Sequence, residues 1–113
     1  MRPVRAPLLL VAILGGCAAG AGGAPNPFDR LTAADRAMAQ SVRQQALETG
    51  VRGEVFEWSG AQPETGGSVK VLATLRRDDG TYCRRFVETV YAQDVSDSFE
   101  ATFCRNDAGE WAP

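Results

Sequence analysis

The sequence predicts an α+β fold in which one N-terminal amphipathic helix packs on an antiparallel β-meander of about four strands, with one disulfide. Three observations lead to this prediction. Helix-forming residues with an apolar repeat run from residue 31 to residue 49. After Gly53 the chain alternates between apolar and polar residues in short stretches that turn-forming residues separate. An even pair of cysteines, Cys83 and Cys104, lies within these stretches.

Residues 1–16 have the three parts of a bacterial signal peptide. Basic residues open the segment, residues 8–14 are apolar, and Leu14-Gly15-Gly16-Cys17 matches the lipobox of bacterial lipoproteins. The apolar run is too short for a transmembrane helix, which needs about 20 residues. We therefore expect cleavage before Cys17, acylation of its sulfur and a membrane anchor made of lipid. An ordinary signal peptide followed by a chance cysteine is the alternative.

The lipid-carrying Cys17 and a flexible tether occupy residues 17–27, and the folded domain occupies residues 28–113. Small residues and prolines dominate residues 18–27, which lack a periodic apolar pattern and would span about 17–19 Å. Loss of residues 1–16 removes two of the 12 basic residues and leaves 10 against 14 acidic ones. A chain with this balance lacks the concentrated basic face of a nucleic-acid-binding domain, so no nucleic acid is expected as a partner.

The predicted helix begins after Thr32 and ends at Gly50. Thr32 is suited to cap the helix, with Asp35 three residues later in a capping-box position, and Gly50 is a natural stop. The small size of the apolar residues favours close packing on a sheet, whereas a helix lying on a membrane would carry bulkier apolar and more basic residues. The apolar stripe expected to face the sheet consists of Leu31, Ala34, Met38, Ala39, Val42, Ala46 and Leu47. The residues expected to face solvent are Arg36, Gln40, Arg43 and Gln44.

The second half of the chain is predicted to form strands joined by turns. Residues 54–58 give a short aromatic strand, and residues 60–67 form a loop because they contain proline and three glycines. A short pairing at Glu110 and Trp111 is expected to end the chain. Alternating strands are predicted at residues 69–76, 82–91 and 99–104, with a tight turn at 77–80 and polar turns at 94–98 and 106–109. In the first of these strands, one face is expected to carry Val69, Val71, Ala73 and Leu75.

Cys83 and Cys104 are expected to form a disulfide, because an exported chain meets an oxidising compartment. Two free core thiols are the alternative. A zinc site is disfavoured, since the chain contains no histidine and two thiols would need carboxylates to complete a four-ligand shell. A two-residue turn at residues 93–94 would place the cysteines directly opposite each other, whereas a turn centred near residue 96 would offset them. The polar residues favour the later, irregular turn between adjacent strands.

Three short motifs stand in the C-terminal half. They are Asp79-Gly80-Thr81-Tyr82-Cys83-Arg84, Cys104-Arg105 and Gly109-Glu110-Trp111. In this combination they resemble a family of bacterial outer-membrane surface-antigen lipoproteins, typified by the rickettsial seventeen-kilodalton surface antigens. The resemblance covers residues 31–112. It implies lipid anchoring at Cys17 in the outer membrane, paired cysteines in the domain and no established enzymatic role.

The sequence predicts no enzyme, no cofactor and no metal site. Without histidine, Ser–His and Cys–His catalysis is excluded, and Asp78 and Asp79 are explained as turn residues. We expect a lipid-anchored, non-catalytic structural or interaction component of the cell envelope, located at the outer membrane on its periplasmic or its surface-exposed face. The alternative function is an envelope binding module or a periplasmic inhibitor of a secreted enzyme such as lysozyme.

Near the predicted hairpin and both cysteines lie five arginines, Arg76, Arg77, Arg84, Arg85 and Arg105. They could form a basic patch that contacts an envelope protein or anionic lipid. The alternative is a solvated strand face on which the arginines pair with Asp78, Asp79 and Glu88. Beyond the membrane reached through the lipid, the sequence specifies no further partner and no oligomeric state.

Overall fold

A computed structural model describes residues 26–113, so the predicted leader, Cys17 and most of the predicted tether lie outside the described residues. One short 3-10 turn and one helix precede five strands, which form a single antiparallel sheet in the order of the chain. The prediction of a helix followed by an antiparallel meander is confirmed, and the strands number five instead of about four. The elements are the 3-10 turn Pro27–Arg30, α1 Ala33–Thr49, β1 Val55–Ser59, β2 Thr65–Arg76, β3 Tyr82–Ala92, β4 Val95–Arg105 and β5 Trp111–Ala112.

Helix α1 starts and ends where its capping residues predict. The Thr32 hydroxyl accepts a hydrogen bond from the backbone N–H of Asp35 at 3.0 Å, and the N–H of Gly50 closes the last turn at 2.8 Å. The buried face of the helix is rotated from the predicted stripe, because Ala34 and Met38 are exposed. Among residues 26–113 no helix has the length and apolar content needed to cross a membrane. Buried on α1 are Asp35, Ala39, Ala46 and Leu47.

The side chain of Asp35 lies on this rotated face and is buried. Its Oδ1 accepts a hydrogen bond from the backbone N–H of Ala61 at 3.0 Å. The carboxylate lies so close to Gly60 that a Cβ there would be 2.9 Å from Oδ2. A residue predicted to serve only the helix cap therefore ties the start of α1 to the loop between β1 and β2.

The hydrophobic core lies between α1 and one face of the sheet. Phe86, at the centre of β3, is fully buried and packs edge-on against Phe103 with ring centroids 5.1 Å apart. The opposite face carries exposed side chains such as Arg85 and Tyr91, and we call it the open face. The core forms two adjoining clusters, one of Ala46, Leu47, Val69, Val71, Phe86 and Trp111 and one of Leu31, Ala39, Trp58, Val90 and Ala92.

A buried ion pair joins α1 to β3 within this core. Glu88 is fully buried, and its two carboxylate oxygens accept hydrogen bonds from the Arg43 guanidinium at 2.5 and 3.0 Å. The guanidinium also lies 5.8 Å from the ring centroid of Phe103. The predictions that Arg43 and Gln44 face solvent are wrong, because the rotated helix turns both side chains towards the sheet.

Strand β2 changes faces along its length. Its pairing with β3 shifts between Val71 and Ala73, which marks a β-bulge. Val69 and Val71 lie in the core, whereas Leu75 lies opposite Cys83 and is 47% exposed. The prediction that the four alternating residues of this strand share one face is wrong, because the extra residue at the bulge exchanges the two faces.

The turn between β3 and β4 is shorter and earlier than predicted. Gln93 and Asp94 alone connect the strands, and the predicted polar turn at residues 94–98 is wrong. Gln93 adopts a φ of 55°, and its N–H donates to the Glu64 carbonyl at 2.8 Å. Asp94 pairs with Arg30 at 3.2 Å. Contacts from outside the hairpin therefore hold this turn.

The short turn places the two cysteines directly opposite each other. Cys83 and Cys104 are paired in register on β3 and β4 and are joined by a disulfide. The predicted disulfide on adjacent strands is therefore present, without the offset that the later turn would have caused. Leu75 and Ala112 continue the same row on the neighbouring strands.

The predicted loop at residues 60–67 is shorter as well. Strand β2 begins at Thr65, so both Gly66 and Gly67 are paired with β1 and β3. Glycine within a strand is typical of a place where other groups approach the backbone closely.

The chain enters the domain at the β3–β4 turn. Phe28 packs on Phe99 with ring centroids 5.8 Å apart, and Arg30 pairs with Asp94. The turn at residues 77–80 lies at the end of β3 opposite the β3–β4 turn. Because β3 has 11 residues, it is roughly 35 Å long. We call the two ends of the sheet the tether end and the disulfide end.

Candidate binding cleft

Two turns stand side by side at the disulfide end. Residues 77–80 join β2 to β3 and residues 106–109 join β4 to β5, as the sequence predicts. Each turn ends on a glycine with positive φ, 89° at Gly80 and 85° at Gly109. The Asp79 carboxylate accepts the backbone N–H two residues later at 2.9 Å, which closes the first turn.

Two adjoining cavities lie between and beside these turns, and we call them together the distal cleft. The outer cavity, of about 350 Å³, runs between the turns, and the inner one, of about 200 Å³, reaches α1. Tyr82 and Arg105 line both cavities. The remaining lining residues are Asp79, Gly80, Thr81, Asn106 and Asp107 in the outer cavity and Glu48, Thr74, Arg84 and Trp111 in the inner one.

Glu48, near the end of α1, organises the inner cavity. Its carboxylate accepts a hydrogen bond from the indole N–H of Trp111 at 2.8 Å and two from the Arg105 guanidinium at 3.2 and 3.3 Å. The hydrogen bond from Trp111, followed by those from Arg105, lowers the pKa of Glu48 below its usual value. This one carboxylate therefore connects the helix to β4 and β5.

Arg84 closes the C-terminal end of α1. Its guanidinium donates to the carbonyl of Gly50 and, at 3.4 Å, to the carbonyl of Ala46. Carbonyls at a helix end lack intrahelical donors, and a cation there is also favoured by the helix dipole. The guanidinium lies 5.9 Å from the ring centroid of Trp111, so it forms one wall of the inner cavity.

The five arginines singled out in the sequence do not share one face. Neighbours on a strand point to opposite faces, so Arg84 points towards α1 while Arg85 lies on the open face. There Arg85 pairs with Glu100 at 3.2 Å. The alternative pairing with Glu88 does not occur, because Glu88 is buried with Arg43.

Four of the arginines lie at the disulfide end, where Arg84 lines the inner cavity beside Arg105. Arg105 belongs to the distal cleft, and Arg76 lies 5.4 Å from the ring centroid of Tyr82, a cleft residue. Arg77 lies in the adjacent turn. Within residues 26–113, Arg76 and Arg77 have no carboxylate at ion-pair distance, so their charges face solvent beside the cleft.

Known proteins share the sequence that builds this end of the molecule. A family model described as 17 kDa outer membrane surface antigen matches residues 45–112. The chain belongs to this family. The 17 kDa surface antigens of Rickettsia conorii and Rickettsia rickettsii are each 33% identical to it over 77 residues, which are 68% of this chain and 48% of theirs. That of Rickettsia prowazekii is 30% identical over 77 residues, with the same coverage.

The chain spans about half the length of the curated surface antigens that it matches. No solved structure matches it. Membership in the surface-antigen family associates the chain with the bacterial cell envelope, as the resemblance of its motifs implies.

The surface-antigen motifs converge at the distal cleft. The first motif supplies the turn at Asp79 and the cleft residues Tyr82 and Arg84, the second supplies Arg105, and the third ends on Trp111. The disulfide joins the strands that carry the first two motifs. The three motifs on which the resemblance rests therefore lie together at the disulfide end, within the residues that the family model matches.

Two helix residues that hold the cleft are missing from the sequence-based site. Besides Glu48, Gln44 donates to the Trp111 carbonyl at 2.9 Å and accepts the Trp111 N–H at 3.3 Å. The two residues are four positions apart and therefore share a helix face. The four-residue spacing of these two polar side chains is the signal present in the sequence. It indicates a site only when β5 is known to pack against this face of the helix.

Replacing Trp111 by phenylalanine is expected to raise the pKa of Glu48, because the indole hydrogen bond is the largest cause of its lowered value. Arg105→Gln should also raise the pKa of Glu48, because it removes the charge of the guanidinium. A lowered pKa in the folded state stabilises the fold above the unfolded-state pKa, and this contribution is lost as the pH falls through the folded-state pKa. NMR titration of the Glu48 carboxyl carbon measures both shifts, with Glu110→Gln as a control. A Glu48 pKa that stays at the wild-type value in the Trp111 variant would contradict this role of the indole.

Proposed function

We propose that the chain is an outer-membrane lipoprotein, anchored through lipid on Cys17, whose domain is a non-catalytic structural or interaction component of the cell envelope. The observation that carries this proposal is the lipobox ending at Cys17 in a chain whose domain belongs to the surface-antigen family. Envelope membership supports the compartment, and the disulfide suits an oxidising space.

The geometry of the domain supports recognition as its task. The chain enters at the tether end, so an anchor there would leave the distal cleft at the far end of the sheet. In the inner cavity, Glu48 is engaged with Arg105, and Arg84 is engaged with the helix carbonyls. Groups held in this way form a fixed surface for contact with a partner.

Replacing Cys17 by serine is expected to abolish acylation and remove the protein from the outer-membrane fraction. Serine offers no thiol for lipid attachment, so the signal peptide should also stay uncleaved and hold the chain in the inner membrane. The measurements are incorporation of labelled palmitate, separation of inner and outer membranes and the mass of the N-terminal peptide. The wild-type chain should begin at Cys17 and carry acyl groups.

The other two cysteines provide the matched control for this experiment. A variant with Cys83→Ser and Cys104→Ser keeps Cys17 and should incorporate palmitate as the wild type does. Label that persists in the Cys17 variant, or a wild-type N-terminus at another residue, would refute lipid anchoring at Cys17.

A further inference from the structure

The open face of the sheet carries a trough at the tether end. It has a volume of about 170 Å³, and its polar border consists of Glu57, Ser59, Ser68, Thr89 and Tyr91. The strand register places these residues in two adjoining rows across β1, β2 and β3. All of them lie on the face that α1 leaves uncovered, at the opposite end from the distal cleft.

One glycine of β2, Gly66, makes this arrangement possible. A Cβ on Gly66 would lie 2.6 Å from the hydroxyl oxygen of Tyr91. The phenol of Tyr91 therefore lies over the backbone of Gly66, and the side chain is 39% exposed. An aromatic ring held against a sheet is a rigid contact surface that loses little conformational entropy when a ligand binds.

The polar groups around this ring have free hydrogen-bonding capacity. The Thr89 hydroxyl shares a 2.7 Å hydrogen bond with Ser98. Within residues 26–113, the Glu57 carboxylate and the hydroxyls of Ser68 and Tyr91 have no protein partner. These groups therefore present donors and acceptors to a ligand without first breaking contacts inside the protein.

We propose that this trough binds a saccharide chain. A saccharide combines a C–H face, which packs on an aromatic ring, with hydroxyls that both donate and accept hydrogen bonds, and the trough offers both partners together. The Glu57 carboxylate accepts from two neighbouring sugar hydroxyls at once. The cations Lys70 and Arg85 of the open face do not border the trough, so an anion would meet Glu57 without a counter-charge.

The position of the trough suits an envelope saccharide. Tyr91 lies two residues before the β3–β4 turn, at the end where the chain enters the domain. With the lipid anchor of the proposed function, this end is held nearest the membrane, where glycolipid sugars and wall glycan are found. The trough itself does not depend on the anchor, so saccharide binding and acylation are tested separately.

The test uses the full chain in micelles of a detergent without a sugar headgroup. Two soluble probes are titrated, chitotetraose for wall glycan and a neutral hexose oligosaccharide of the lipopolysaccharide outer core for glycolipid. We expect saturable binding of at least one probe, with amide NMR shifts concentrated at Gly66, Ser68 and Thr89. Tyr91→Ala should weaken that binding by at least about tenfold, and Glu57→Gln should weaken it as well.

Leu75→Ala is the matched control, because Leu75 is 47% exposed but lies at the disulfide end and borders neither the trough nor the distal cleft, and it should leave the affinity unchanged. If circular dichroism shows that the Tyr91 variant does not fold, Ser68→Arg replaces it, because the long side chain fills the trough and should abolish binding. The probe that binds identifies the saccharide source. Absence of saturable binding by both probes, or equal losses in the Leu75 and Tyr91 variants, would overturn the proposal.

Discussion

Replacing Cys83 and Cys104 together by serine is expected to lower the free energy of unfolding by about 3 kcal/mol. The disulfide joins residues 21 positions apart, directly opposite each other on β3 and β4 and far from the turn between these strands. Without it, the unfolded chain regains the freedom of an open loop of this length. The substitution also places a hydroxyl at the fully buried position of Cys83. For a domain whose total stability is about 5–15 kcal/mol, the loss is a large fraction.

Urea unfolding followed by tryptophan fluorescence measures this change, because Trp111 is buried at the same end of the sheet. The reduced wild-type protein should also lose about 3 kcal/mol. Any further loss in the double serine variant measures the effect of serine. Cys17→Ser should match the oxidised wild type, since Cys17 takes no part in the bond. Stabilities that agree within about 0.5 kcal/mol before and after reduction would show that the disulfide does not constrain the hairpin.

The features that the sequence predicts best are those decided by neighbouring residues. The start of α1 follows from the Thr32 hydroxyl, which reaches the N–H three residues later. The turns at the disulfide end follow from Gly80 and Gly109, whose positive φ angles suit glycine. Each of these features is set within four or five residues, so the sequence alone contains the information.

The features that the sequence does not reveal depend on distant partners. The buried face of α1 includes Asp35, whose carboxylate accepts a hydrogen bond from the distant N–H of Ala61. The faces of β2 exchange at the bulge after Val71, and periodicity cannot show a bulge that depends on pairing with β3. The β3–β4 turn falls at Gln93 because Glu64, in another loop, accepts its N–H.

The same distinction applies to the distal cleft. Its strand and turn residues stand in recognisable motifs, so Tyr82, Arg84 and Arg105 could be singled out before the fold was known. Gln44 and Glu48 could not, because a polar side chain on a helix reads as solvent-facing until a partner such as β5 is placed against it. The sequence patterns thus predict the cleft residues of the strands and turns. The cleft residues of the helix are known only from the packing of α1 against β5.

The pairing of Arg43 with Glu88 leads to the second large prediction. Glu88→Ala is expected to lower the free energy of unfolding by about 3–5 kcal/mol, because it leaves the Arg43 guanidinium in the core without its counter-charge. The side chain of Arg43 is only 18% exposed, so water cannot replace the carboxylate fully. Arg43→Met, in turn, leaves the fully buried Glu88 unpaired and should be similarly destabilising.

The combined variant Arg43→Met with Glu88→Leu shows whether the single variants lose stability through an unpaired charge or through lost packing. Apolar residues of similar volume need no partner, so the double variant should recover most of the stability lost by either single variant. Urea unfolding of the wild type, Arg43→Met, Glu88→Leu and the double variant gives the coupling energy between the two positions. The matched control is the pair of Arg85 on β3 with Glu100 on β4, which lies on the open face with side chains 45% and 52% exposed. Its loss should change stability by about 1 kcal/mol or less, because water screens exposed charges. A Glu88 variant that costs no more than this control would mean that the buried pair does not hold α1 on the sheet.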